Sequence, residues 1–144
     1  MISFNGDKKH IRGMSEGIRQ TITRIITDHN YQLNQIDYIF VNDEDLLQIN
    51  KEVLKHDYYT DIISFDYTEG RQIEGEIYIS IDRVRDNATK YGETFHVELL
   101  RVIFHGVLHY VGYKDKTKKD SEKMREKENK YLNIYKREFH VEQK

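Results

Sequence analysis

Phe104-His105-Gly106-Val107-Leu108-His109-Tyr110-Val111-Gly112-Tyr113-Lys114-Asp115 is the stretch on which the fold turns. It continues the apolar run Leu99-Leu100-Arg101-Val102-Ile103, which has the length and texture of a mostly buried helix. His105 and His109 are four residues apart, so on a helix one imidazole lies above the other on a single face. Gly112 comes three residues after the second histidine, where a helix ending in the left-handed conformation calls for glycine. The chain can then fold back and bring the Asp115 carboxylate to the same place. The spacing H-x-x-x-H-x-x-G-x-x-D therefore predicts a metal site of His105, His109 and Asp115 on a helix and its exit turn. The bland alternative is a buried helix with two hydrogen-bonded histidines and a solvated aspartate.

Compared with the helix-and-turn of zinc peptidases, two positions differ, and both carry chemistry. Such peptidases need a glutamate after the first histidine as general base. Here that residue is Gly106, so peptide hydrolysis is disfavoured. The third donor is a carboxylate where an imidazole is usual, which hardens the set. The chain has no cysteine, so His, Asp and Glu must hold any transition metal. One divalent ion is expected, Zn2+ first, although iron, manganese and nickel also suit two imidazoles and a carboxylate.

Working outward, Thr94 opens the metal-bearing helix, and Tyr91-Gly92 closes an earlier one capped by Ser80 or Asp82. Downstream, Thr117 or Asp120 starts a last helix whose apolar stripe is Met124, Tyr131, Leu132, Tyr135 and Phe139. Upstream, Gly75–Ser80 and Ile62–Tyr67 read as strands flanking a turn at Glu69-Gly70-Arg71. A helix capped at Asn42-Asp43 runs to about Leu54, and Asp37–Val41 is a mostly buried strand. Met14 to about His29 has helical spacing with Ser15 as its cap, and Ile2–Phe4 is a short strand. Strands and helices mix without strict βαβ alternation. The expected fold is α+β: a small mixed sheet of about four strands with about five helices, packed mainly on one face, one of them a zincin-like metal helix. There is no proline linker and no repeat, so residues 1–144 are expected to form a single domain.

Composition narrows the setting. Hydrophobic content is 38% and charged content 33%, no apolar run approaches the roughly 20 residues of a membrane span, and no signal-peptide core is present. A cytoplasmic protein with no membrane partner is expected. The net charge of −2 is uneven, since residues 114–137 alone carry +5. A basic segment beside a metal motif suits an anionic partner such as nucleic acid. A solvated face laced with pairs such as Glu126–Lys130 accounts for the charge equally well.

Ile49-Asn50, then Asp57-x-x-Thr60-Asp61-Ile62-Ile63-Ser64-Phe65, then Gly75-Glu76-Ile77, then Glu98-Leu99 with the His105–Asp115 motif together resemble the YbeY family of bacterial rRNA maturation factors. The likeness runs in order over about residues 35–130 and takes in Met124 and Glu128. It implies a metal-dependent, single-strand-specific endoribonuclease acting in 16S rRNA 3′-end maturation and ribosome quality control. The implied partners are rRNA and the small ribosomal subunit or its associated proteins. Three positions depart from the family pattern: Asp115 replaces a common histidine, Leu54 replaces an arginine, and Tyr59 replaces a proline. A guanidinium is the natural clamp for a phosphate, so Lys55 or Arg101 is the candidate to supply the missing cation. Asp61 either lines the site or caps its turn. Glu98 either faces the cleft or pairs with Arg101, and His56 and His96 read as surface histidines. Two other functions stay open: an RNA- or ribosome-binding assembly factor with little or no catalysis, and, disfavoured by Gly106, a small metallopeptidase.

Overall fold

β-Branched and aromatic residues build a four-stranded sheet in the computed structural model, which describes residues 1–139. The strands are β1 (Ile2–Gly6), β2 (Gln32–Val41), β3 (Ile62–Asp66) and β4 (Gln72–Ser80), in the order β1-β2-β4-β3. β1, β2 and β4 run parallel, and β3 is an antiparallel edge strand. Among the described residues five α-helices accompany them: α1 (Ser15–Asp28), α2 (Asp43–Val53), α3 (Ile81–Tyr91), α4 (Phe95–Tyr110) and α5 (Lys118–Glu138). This is the expected α+β architecture with a mixed sheet.

The caps explain most helix starts. Asn42, Ser80, Thr94 and Thr117 each accept a hydrogen bond from the backbone N–H three residues on. Ser15 does not act this way. Gly13 is left-handed (φ +80°) and the Ile11 carbonyl accepts from the Met14 N–H, so the chain enters α1 one residue early. Met14 is the N-cap, and Ser15 is already helical. A short 3-10 turn at Lys8–Ile11, which the sequence pattern does not show, buries Ile11 just before that entry. β2 and β4 also begin earlier than their hydrophobic patterns. Their polar first residues pair Gln32 with Gln72 and are held by the ladder between parallel strands.

One sheet face forms the core. Phe4, Ile36, Tyr38, Ile77 and Ile79 are buried in one cluster with residues of α1, α4 and α5, whereas Asp37, Ile39, Glu76 and Tyr78 on the other face stay partly exposed. α4 lies close on this sheet because two glycines make room. A Cβ on Gly106 would stand 2.9 Å from Ile77 Cδ1, and one on Gly75 would meet the Tyr110 hydroxyl at 2.2 Å. That hydroxyl donates to the Phe65 carbonyl at 2.9 Å, and the Tyr38 hydroxyl donates to the Ile103 carbonyl at 2.8 Å. α4 is thus bolted to the sheet at its middle and at its C-terminal end. Among the described residues, no helix is long and apolar enough to cross a membrane.

Candidate metal centre

The exit from α4 creates half of the site. Gly112 takes φ +108°, the Gly112 N–H donates to the His109 carbonyl, and the Tyr113 N–H donates to the Leu108 carbonyl. These two bonds close the helix in a Schellman turn. The turn leaves the Tyr113 carbonyl pointing back, where it accepts from His109 Nδ1 at 2.9 Å. It also delivers Asp115, whose Oδ2 lies 3.2 Å from His105 Nε2 and 3.4 Å from His109 Nε2. The two Nε2 atoms are 3.0 Å apart.

The other half comes from α5. Glu128 is only 5% exposed, and its Oε2 accepts from His105 Nδ1 at 2.6 Å. Both histidines therefore have an acceptor at Nδ1, which fixes the proton there and leaves each neutral ring with its Nε2 lone pair directed at the other and at Asp115. In that tautomer three lone-pair donors converge on one point, an arrangement that a cation would satisfy. An ion held tetrahedrally at Zn–N and Zn–O distances spaces its ligands by roughly 3.3–3.5 Å. The observed edges of 3.0, 3.2 and 3.4 Å match that closely, so His105, His109 and Asp115 form a group that could hold a metal ion.

A proton reports the same surplus of negative charge. Burial works against a charged His105, but the hydrogen bond and charge of Glu128, then Asp115 and Asp61, outweigh it and raise its pKa above the ordinary value. The group opens on a cleft of about 480 Å³ between β3, α3, α4 and α5. Asp61 lines this cleft with Thr60, and burial raises its carboxyl pKa despite the pull of His105. Glu98 both faces the cleft and pairs with Arg101, and burial pushes its carboxyl up to about 7. Ser64 lies on the same wall, because its register partner in β4 is the core residue Ile77.

The two cations expected to replace the family arginine fare differently. Arg101 lines the cleft, but its side chain is only 12% exposed and is held through Nη1, with Nε buried and without a hydrogen bond. Its Nη1 donates to Asn129 Oδ1 at 2.8 Å and to Glu128 Oε1 at 3.4 Å, and its Nε lies 3.7 Å from Glu98. Lys55 is exposed in the loop after α2 and does not line the cleft. Buried Asn50 pins that loop, its carbonyl accepting from the Leu54 and His56 N–H groups and its amide donating to the Tyr58 carbonyl. His56 stacks on exposed Tyr58, while His96 is half-buried against the His10 carbonyl.

Sequence reasoning did not assign Glu128 its part behind His105. A signal existed: Glu128 stands between Met124 and Leu132 at four-residue steps, a carboxylate in register with the buried stripe of a helix. Position 106, where a peptidase places its glutamate, faces Ile77 and Ile62 of the sheet at under 3.4 Å and has no room for one.

Residues 2–136 match the family described as Endoribonuclease YbeY. A protein named Endoribonuclease YbeY from Flavobacterium johnsoniae is 44% identical over 143 residues, which cover 99% of this chain and all of that one. Its namesake from Cytophaga hutchinsonii is 47% identical over 134 residues, 92% of this chain and 94% of the relative. Among solved structures, the solution structure of TM1509 from Thermotoga maritima matches with a TM-score of 0.69 at 29% identity, over 94% of this chain and 89% of that one.

Proposed function

Because this chain belongs to the Endoribonuclease YbeY family, we propose that it is a metal-dependent endoribonuclease that cuts single-stranded RNA. In this reading it trims the 3′ end of 16S rRNA in the cytoplasm and takes part in ribosome quality control at the small subunit. His105 Nε2, His109 Nε2 and Asp115 Oδ2 hold one divalent ion, Zn2+ first among those that suit the donors. Such an ion, when bound, supplies a Lewis acid for a phosphate oxygen and lowers the pKa of a water molecule.

The protein's own residues do the rest. Glu128 and the Tyr113 carbonyl hold a proton on each Nδ1 and so aim both imidazoles. Asp61 and Thr60 form the wall across from the histidines, where a substrate phosphate enters. Buried Glu98 restrains Arg101, which in turn holds Glu128 in line with His105. The observation that carries this reading is the convergence of three possible ligand atoms at mutual distances of 3.0, 3.2 and 3.4 Å.

The test pairs elemental analysis with a cleavage assay on single-stranded RNA, with and without chelator. The wild type should carry about one metal per chain and lose cleavage on chelation, and Asp115→Ala should lose both. Metal content unchanged in Asp115→Ala would remove that residue from the ligand set. RNA binding without cleavage, indifferent to chelator, would favour the assembly factor.

A further inference from the structure

The cleft wall carries four carboxylates, Asp61, Glu98, Asp115 and Glu128, against two guanidinium groups, Arg101 and Arg125. A strand of RNA adds one negative charge per nucleotide, so an unengaged cation has to meet it there. Arg101 is almost enclosed, with Nη1 bonded to Glu128 and Asn129 and a buried, unbonded Nε 3.7 Å from Glu98, so a strand in the cleft cannot reach it. Lys55 lies outside the cleft. Arg125 differs from both. It lines the cleft with its side chain 56% exposed, and its ion pair is a 3.6 Å contact from Nη1 to Glu128 Oε1. Its Nε and Nη2 make no hydrogen bond among the described residues, which leaves one edge of the guanidinium open for bidentate contact.

Its placement suits a phosphate beside the reacting centre. Glu128 turns Oε1 toward Arg125 and Oε2 toward His105, so a single carboxylate separates the guanidinium from the first imidazole. Ser121, one turn earlier on α5, lines the same wall, and exposed Lys118 continues that line at seven residues from Arg125.

We propose that Arg125 is the residue that grips the RNA backbone in the cleft, so that the α5 wall, and not the loop at residues 54–59, anchors the strand. This rests on the endoribonuclease reading, and the experiment separates the two. A fluorescent, cleavage-resistant 2′-O-methyl oligonucleotide is titrated with metal-loaded wild type, Arg125→Ala and Arg125→Lys over a salt series. Metal affinity of each protein is read with a chelating dye.

Arg125→Ala should bind the strand about tenfold or more weakly, with its salt dependence shallower by roughly 0.7 in log–log slope, the share of one phosphate contact on a single strand. Its metal affinity should stay within about twofold of wild type, since it donates to no metal ligand. Arg125→Lys should keep the slope and lose part of the affinity, because an ammonium holds phosphate at one point. An unchanged affinity and slope in Arg125→Ala would overturn the proposal. So would an RNA defect that saturating metal repairs, since Arg125 would then serve only to neutralise Glu128. A wild type that binds no single strand would overturn the endoribonuclease reading, and this proposal with it.

Discussion

Glu98 is 5% exposed inside a wall that also holds Asp61 and Glu128. Burial raises its pKa from 4.5 to about 7, Arg101 opposes that, and Asp61 and Glu128 add to it. The metal-free native protein therefore keeps a proton that the unfolded chain releases. Stability from this group is full below the ordinary value of 4.5 and is lost as pH rises through about 7. Glu98→Gln mimics the protonated form, so the variant should match wild type near the acid end. It should be the more stable of the two above neutrality, by about 1 kcal/mol or more once solvent screening and the lost Arg101 pair are allowed for. Denaturant titrations of the metal-free proteins at several pH values check this, and parallel curves would mean that Glu98 ionises in the ordinary range. Among single residues, those whose convergence follows from local spacing were legible in the sequence. His105, His109 and Asp115 belong to one helix and its turn, and the fold brings them together. Glu128 reaches His105 across 23 residues, and Arg101 is captured by partners on two helices. Spacing along a chain does not report contacts of that kind.

At the scale of elements, the contact between α4 and the sheet positions the site. Gly106→Ala would put a methyl 2.9 Å from Ile77 Cδ1 and 3.3 Å from Ile62 Cδ1. Ile62, partly exposed beside the cleft, can give way, but Ile77 is fully buried and cannot retreat far. The expected cost is about 1–3 kcal/mol, the usual range for overpacking. Thermal denaturation reads it directly, and a variant as stable as wild type would show that α4 can lift off the sheet freely. Helix starts were legible wherever a side chain makes the cap, as at Asn42, Ser80, Thr94 and Thr117. At α1 a left-handed glycine and a backbone carbonyl set the start instead, which a search for Ser or Thr misses. The first turns of β2 and β4 were hidden for a related reason. Backbone pairing holds Gln32 to Gln72, and polar side chains at the end of a sheet show no hydrophobic alternation.

For the molecule as a whole, the candidate metal centre draws together α4, the turn after it and α5, elements that Arg101 also ties through Glu128 and Asn129. His105 and His109 come from α4, Asp115 from the following turn, and Glu128 from α5. An ion that binds the folded form alone stabilises it by about 2.7 kcal/mol at a hundredfold excess over its Kd. For a chain of 144 residues that corresponds to a rise in Tm of roughly 5–10 °C. Chelation should lower the melting temperature of wild type by about that amount and leave Asp115→Ala where it was. Equal shifts in the two proteins would place the stabilising ion elsewhere.

Glu128 lies 23 residues beyond His105, with all of the intervening turn and half of α5 between them. While the polypeptide is being synthesised, the paired histidines emerge first and the carboxylate that aims one of them arrives later. Loss of such a partner weakens metal binding by about 10- to 100-fold. Docking of α5 and the affinity of the histidine pair for a cation should therefore rise and fall together, so that a partly folded chain would hold an ion far less tightly than the finished fold.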